Sequence, residues 1–167
     1  MIKEVFQKKI KNSFSEVLLD WRVKLMARSE ECLEKGEKEK SSEYEEIIEG
    51  IMSELKRRLS DKSVDDNRSG GLPEIGVMAS MGYHVGVTQG KKPRIRRRIL
   101  DDIYYGPIVM VGSLEHMDEW GEDCSTKRLK KMKRNLKSFI TSNKNRKFLE
   151  TAVKEWQEDL EYLEKEY

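Results

Sequence analysis

Cysteine, histidine and proline are scarce in this sequence, with two, two and three residues among 167. Cys32 and Cys124 form no Cys-x-x-Cys pair, so neither a disulfide framework nor a zinc site with its usual ligand count is available. Both cysteines are expected to be reduced and structural, and no metal or cofactor is expected. No stretch approaches the ~18 consecutive apolar residues that a membrane helix needs. The opening MIKEVFQKKIKNSF lacks a signal-peptide core. These absences predict a cytoplasmic protein without a membrane partner. Catalytic signatures are also missing: there is no Gly-x-Ser-x-Gly elbow, no His-Glu-x-x-His, and no Cys/His pair with supporting groups. The pattern points away from an enzyme and leaves no catalytic residue to name.

What the chain has in abundance is charge. Charged residues make up 38% and apolar residues 37%, a balance that favours solvated helices with narrow inward stripes. The net charge of +2 hides a partition. Residues 68–147 carry 17 Lys/Arg against 8 Asp/Glu, residues 1–67 carry 14 against 16, and residues 148–167 carry 2 against 7. A basic middle between acidic ends is either a surface for a polyanion or one half of an internal pairing with acidic helices.

Apolar periodicity predicts an all-α protein: a long N-terminal helical hairpin followed by a compact bundle of about five shorter helices. Ile2, Phe6, Ile10, Phe14, Val17, Trp21 and Leu25 recur at three- or four-residue spacing, which predicts one helix from Ile2 to about Leu33, stopped at Gly36. A second helix is expected to start at Ser41 or Ser42 with serine as its cap, and to bury Tyr44, Ile48, Ile51, Leu55 and Leu59. The two form either an intramolecular hairpin or an arm that dimerises as a coiled coil. Residues 1–60 form this arm and residues 61–71, rich in Asp, Asn, Ser and Gly, a linker; residues 72–167 form a basic helical domain. Within that domain helices are expected over Pro73–Met81, Pro93–Tyr105, Ser113–Trp120, Ser125–Ser142 and Phe148–Glu166, with Ser113 and Ser125 as N-caps. Ile108–Val111 reads as an extended connector.

The stretch GYHVGVTQGKKPRIRRR, residues 82–98, sets three glycines at four-residue spacing before six cations. It fails as a phosphate loop: Gly86 and Gly90 bracket three residues rather than four, Lys92 stands where Ser or Thr should hold magnesium, and Pro93 removes a donor. The glycines are expected to serve a connection between helices, anchored by Tyr83, Val85 and Val87. His84, His116 and the acidic groups Asp101, Asp102, Glu115, Asp118 and Glu119 have no spacing that fixes a catalytic or metal site.

Stepping about 100° per residue from Pro93 gathers Ile95, Ile99, Leu100 and Ile103 on one side and Arg94, Arg97 and Arg98 on the other, with Arg96 near the apolar edge. The helix after Ser125 likewise turns Leu129, Met132, Leu136, Phe139 and Ile140 inward and Lys127, Lys130, Lys131, Arg134 and Lys137 outward. With Lys91 and Lys92, these ten cations are the candidate nucleic-acid-binding residues, since Arg and Lys make most phosphate contacts. Pairing with Glu43, Glu45, Glu46 and Glu49, or with Glu155, Glu158 and Asp159, is the competing expectation.

The strings MGYHVG (81–86), RRRIL (96–100), EWG (119–121), STKRL (125–129) and EWQEDLEYL (155–163) resemble an uncharacterised, largely helical domain of bacterial and phage proteins associated with DNA-processing or genome-defence contexts. The resemblance covers residues 72–167 and brings no catalytic residues with it. It implies a nucleic-acid partner, DNA before RNA, or a protein that handles one. The sequence therefore predicts a non-enzymatic nucleic-acid-binding accessory or regulatory protein. The alternative is an interaction or oligomerisation module, an adaptor or inhibitor, working through its long amphipathic helices.

Overall fold

A computed structural model describes Phe6 and residues 9–60, 76–108 and 118–167. Every regular element among them is helical, and no described helix is long and apolar enough to cross a membrane. The chain divides into two compact units, residues 1–69 and 70–167. The 61–71 linker, His116, Glu115, the Ser113 cap and most of the Ile108–Val111 connector lie outside the described residues.

In the first unit α1 (Ser15–Glu34) and α2 (Lys38–Ser60) pack along each other in opposite directions. Ser29 Oγ meets Ser41 Oγ at 2.9 Å and donates to Glu45 at 2.5 Å. Between the helices, Gly36 takes the left-handed conformation at φ 75° that lets the chain reverse. The single helix expected from Ile2 to Leu33 is interrupted: residues 9–12 are helical, and Phe14 adopts extended backbone angles, φ −64° and ψ 150°, ahead of α1. Arg58 is the physical reason the break is tolerated. Its guanidinium donates to the carbonyls of Ser13 at 2.6 Å, Ile10 at 3.0 Å and Lys11 at 3.2 Å, at a helix end where amide partners become scarce, Ile10 also receiving the Ser13 amide at 3.4 Å.

The break also resets the buried face. Leu18, Leu19, Val23 and Met26 are buried, whereas Phe14 is 73% exposed and Val17 lies at the surface. Arg22 is fully buried among them and reaches Met52 Sδ at 3.7 Å. The second helix starts three residues earlier than expected, at Lys38, because Ser41 is turned inward onto Ser29 rather than used as a cap. Its stripe holds at Ile48, Ile51 and Leu55, while Leu59 is exposed.

The second unit contains α3 (Val77–Ser80), α4 (Pro93–Tyr105), α5 (Thr126–Asn143), a 3-10 turn at Lys147–Leu149 and α6 (Glu150–Glu166). Pro93 occupies the first turn of α4, where a missing amide hydrogen costs nothing. Ser125 caps α5, its Oγ accepting from the Arg128 amide at 3.1 Å. Ile95, Ile99, Leu100 and Ile103 of α4 and Met132 and Leu136 of α5 are buried as the helical projection requires. α6 packs on both α4 and α5. It starts two residues later than expected, and Phe148 is 79% exposed in the preceding turn.

Arg57 first, and then Arg58, hold the Glu54 carboxyl at about 2, below its ordinary 4.5. The folded value lies below the unfolded one, so this carboxylate's contribution is complete above about pH 4.5 and is lost as pH falls toward 2. Urea titrations across that window should show wild-type stability falling with acid, and a shallower fall for Glu54→Gln.

Candidate nucleic-acid interface and the ionic lock behind it

The glycine loop joins α3 to α4 and is fastened to α6. Gly86 N–H donates to Glu155 Oε2 at 2.6 Å, and the Gly90 amide closes back onto Gly86 O at 2.9 Å. A Cβ on Gly90 would stand 2.1 Å from that oxygen, so glycine at this position is a requirement of close backbone approach. Gly82 and Gly86 have φ near +90° and Tyr83 is buried, as expected of the connection. Val87 is not an anchor: it is 86% exposed, because the loop is held by polar bonds to α6 instead.

Arg96, expected near the apolar edge of α4, is the centre of the unit. It is fully buried, as is Asp159 of α6. Its Nε donates to Asp159 Oδ2 at 2.7 Å, and Nη1 donates to Glu155 Oε1 and to the Lys91 carbonyl, each at 2.9 Å. Nη2 lies 3.4 Å from Glu158 and 3.3 Å from Asp159 Oδ1. Tyr83 Oη donates to Asp159 Oδ2 at 2.6 Å. Burial, together with this carboxylate, pushes the Tyr83 phenol far above its ordinary value. Internal pairing with Glu155, Glu158 and Asp159 is thus real, but it uses an arginine outside the ten candidates.

Arg128 does similar work at the other end of α4. Its Nη1 donates to the carbonyls of Ile103 at 3.2 Å and Gly106 at 2.6 Å and to Asp123 at 2.6 Å, and its Nη2 donates to Gly121 O at 2.7 Å. Asp101 accepts from the phenols of Tyr162 and Tyr167, each at 2.8 Å, so it is engaged by hydroxyls rather than poised for a metal. Among the described residues no cluster of His, Cys, Asp and Glu could hold a metal ion.

The ten candidate cations separate by helix. Lys91 is half-buried and lends its carbonyl to Arg96; Lys92, Arg94 and Arg98 each engage another group; Arg97 lies 5.2 Å over the Tyr162 ring. On α5, Lys131 pairs with Glu119, and Lys137 with Glu164 at 3.2 Å. Lys127, Lys130 and Arg134 are exposed and have no polar partner among the described residues. These three, with Lys131, Thr126 and Glu119, line one open depression of about 500 Å³. None of the α4 arginines lines it.

Beyond this depression lies an apolar cavity of about 350 Å³, walled by Met78, Tyr83, Phe139 and Trp156, with His84 and Asn135 as its polar members. Phe139, expected in the core, is 37% exposed there, and its ring lies 5.4 Å from that of Trp156. Burial and then Lys91 hold the His84 imidazole below its ordinary 6.5, so it is neutral at pH 7. Neither the His84 ring nor the Asn135 amide has a hydrogen-bond partner among the described residues. Nothing local in the sequence marked Arg128 or this cavity, whereas the place of Arg96 near the apolar edge of α4 and the Glu155/Glu158/Asp159 cluster were usable clues to an internal cation. No protein-family model, curated protein or solved structure matches the chain.

Replacing Asp159 with Asn leaves the buried Arg96 short of a counter-charge. Urea unfolding followed by tryptophan fluorescence should show a loss of roughly 3 kcal/mol. Arg96→Lys should lose a comparable amount, because an ammonium cannot serve three carboxylates and a carbonyl in one fork.

Proposed function

We propose that this is a nucleic-acid-binding protein without chemistry of its own, an accessory or regulatory factor whose helical-bundle domain grips the phosphate backbone. The observation that carries the reading is the group Lys127, Lys130 and Arg134, open to solvent around one depression. They span about 10 Å of helix axis. Lys131 and Lys137 flank them, with Lys91, Lys92, Arg94, Arg97 and Arg98 as the secondary basic surface of α4 and the loop preceding it. Phosphate contacts of this kind give affinity without sequence preference and a steep salt dependence. The resemblance of residues 72–167 to an uncharacterised helical domain associated with DNA-processing or genome-defence contexts favours DNA over RNA and a cytoplasmic setting in a bacterial or phage system.

A second reading has its own observation. Phe14, Val17 and Leu59 are exposed at one end of the α1–α2 pair, where Arg58 reaches Ser13. An apolar end on a helical hairpin supports association, with a second copy as the simplest partner. In this reading the N-terminal unit assembles the protein and the basic unit binds.

Fluorescence anisotropy with labelled DNA should show binding that falls steeply with salt. Lys127→Gln/Lys130→Gln/Arg134→Gln should lower the slope of log affinity against log salt by about 2 to 3. A flat titration at low salt would remove the reading. For the second reading, light scattering should give a concentration-dependent dimer that Phe14→Ser shifts toward monomer; a monomer at every concentration excludes it.

A further inference from the structure

Halfway along α5 the surface changes character on a single helical row. Lys127 and Lys131 are followed, at the same four-residue step, by Asn135 and Phe139, and residues four apart lie over one another on a helix. Lys127 and Lys131 belong to the basic depression, Asn135 and Phe139 to the aromatic cavity. The two recesses are therefore consecutive on one element, with Lys131 and Asn135 about 6 Å apart along the axis.

We propose that the cavity takes one unstacked nucleobase of a single-stranded nucleic acid whose phosphates lie on Lys127, Lys130 and Arg134. The proposal rests on the backbone-binding function above and adds which form of nucleic acid the site selects. At about 350 Å³ the cavity lies near the lower end of small-ligand sites and suits one planar ring system. Its walls offer the Phe139 phenyl and the Trp156 indole, inclined at 41° to each other, and any base has a face to set against such rings. Its polar members are those that a base edge needs. The neutral His84 ring carries one donor and one acceptor, and the Asn135 amide carries both. The Tyr83 phenol, by contrast, is already committed to Asp159 and contributes only its ring. A duplex keeps its bases stacked and paired, so only an unpaired strand can place a base in the cavity while its backbone follows the lysines.

The test compares a short oligothymidylate, an abasic strand of the same length and a duplex of the same length by anisotropy against the full chain. Wild type should prefer the base-bearing strand to the abasic one by roughly tenfold. Phe139→Ala should remove that preference while leaving abasic and duplex binding unchanged. Asn135→Ala, which leaves the aromatic wall intact, should reduce the same preference. Equal wild-type affinity for the two strands, with Lys127→Gln/Lys130→Gln/Arg134→Gln weakening both, would overturn the base site and leave the backbone function standing. No binding of any strand at low salt would end both. Thymidine monophosphate competing as strongly as the oligonucleotide would overturn the strand assignment in favour of a free-nucleotide site.

Discussion

The second unit depends on one buried guanidinium. Arg96 and Asp159 are both withdrawn from water, a situation that costs several kcal/mol per ion and is tolerated only where geometry and further hydrogen bonds compensate. Here the compensation is distributed over three carboxylates of α6, one loop carbonyl and the Tyr83 phenol. The result is directional. An apolar contact between α4 and α6 could slide, whereas a planar fork shared between Glu155, Glu158 and Asp159 admits one register. Because Trp156 lies between those carboxylates in sequence, the same lock sets the wall of the aromatic cavity.

Arginine and lysine divide the labour in this protein. Arg58 and Arg128 donate to carbonyls at the ends of helical segments, Arg58 after residues 9–12 and Arg128 after α4, where amide partners run out. Arg96 serves carboxylates in the interior. The fork geometry of a guanidinium suits such multiple, fixed acceptors, and a compact, strongly hydrated ammonium does not. Lys127, Lys130 and Arg134 on α5 are exposed and have no polar partner among the described residues. The basic character of the middle region therefore has two physical origins, which a charge count adds together.

Much of the helical frame was legible in the sequence. Pro93 and the Ile95–Ile99–Ile103 spacing fix α4 from Pro93 to Tyr105, and Ser125 marks the start of α5, because these signals act locally. The interruption at Ser13 and Phe14 was not legible, since no Gly or Pro marks it and the residue that accommodates it, Arg58, is 45 residues away. Arg96 and Arg128 escaped for a related reason. Periodicity placed Arg96 only near the apolar edge and gave no reason to bury Arg128, and much of what makes their burial favourable is distant in sequence: carboxylates 59 to 63 residues away for Arg96, and carbonyls 22 to 25 away for Arg128 beside the nearer Asp123 and Gly121. The α5 cations were legible as a face, but the freedom of Lys127, Lys130 and Arg134 from polar partners among the described residues, against the paired Lys131 and Lys137 and the engaged arginines of α4, is a property of the packing. Phe139 and Trp156 show the periodicity of core residues, and nothing local distinguishes a filled core from a cavity.

The sequence distance spanned by the Arg96–Asp159 pair has a consequence for how the chain is made. The two ends of the pair are 63 residues apart, so at about 5–20 residues per second the ribosome needs about 3–13 s to supply the second after the first. Through that interval α4 and the glycine loop exist without their counter-charges. The α1–α2 pair begins to close across a short turn at Gly36, where Ser29 meets Ser41 12 residues on, although its Arg58–Ile10 bond spans 48 residues. In each unit the longest-range contact must wait for its later partner, and in the second that wait is set by where a single carboxylate is encoded.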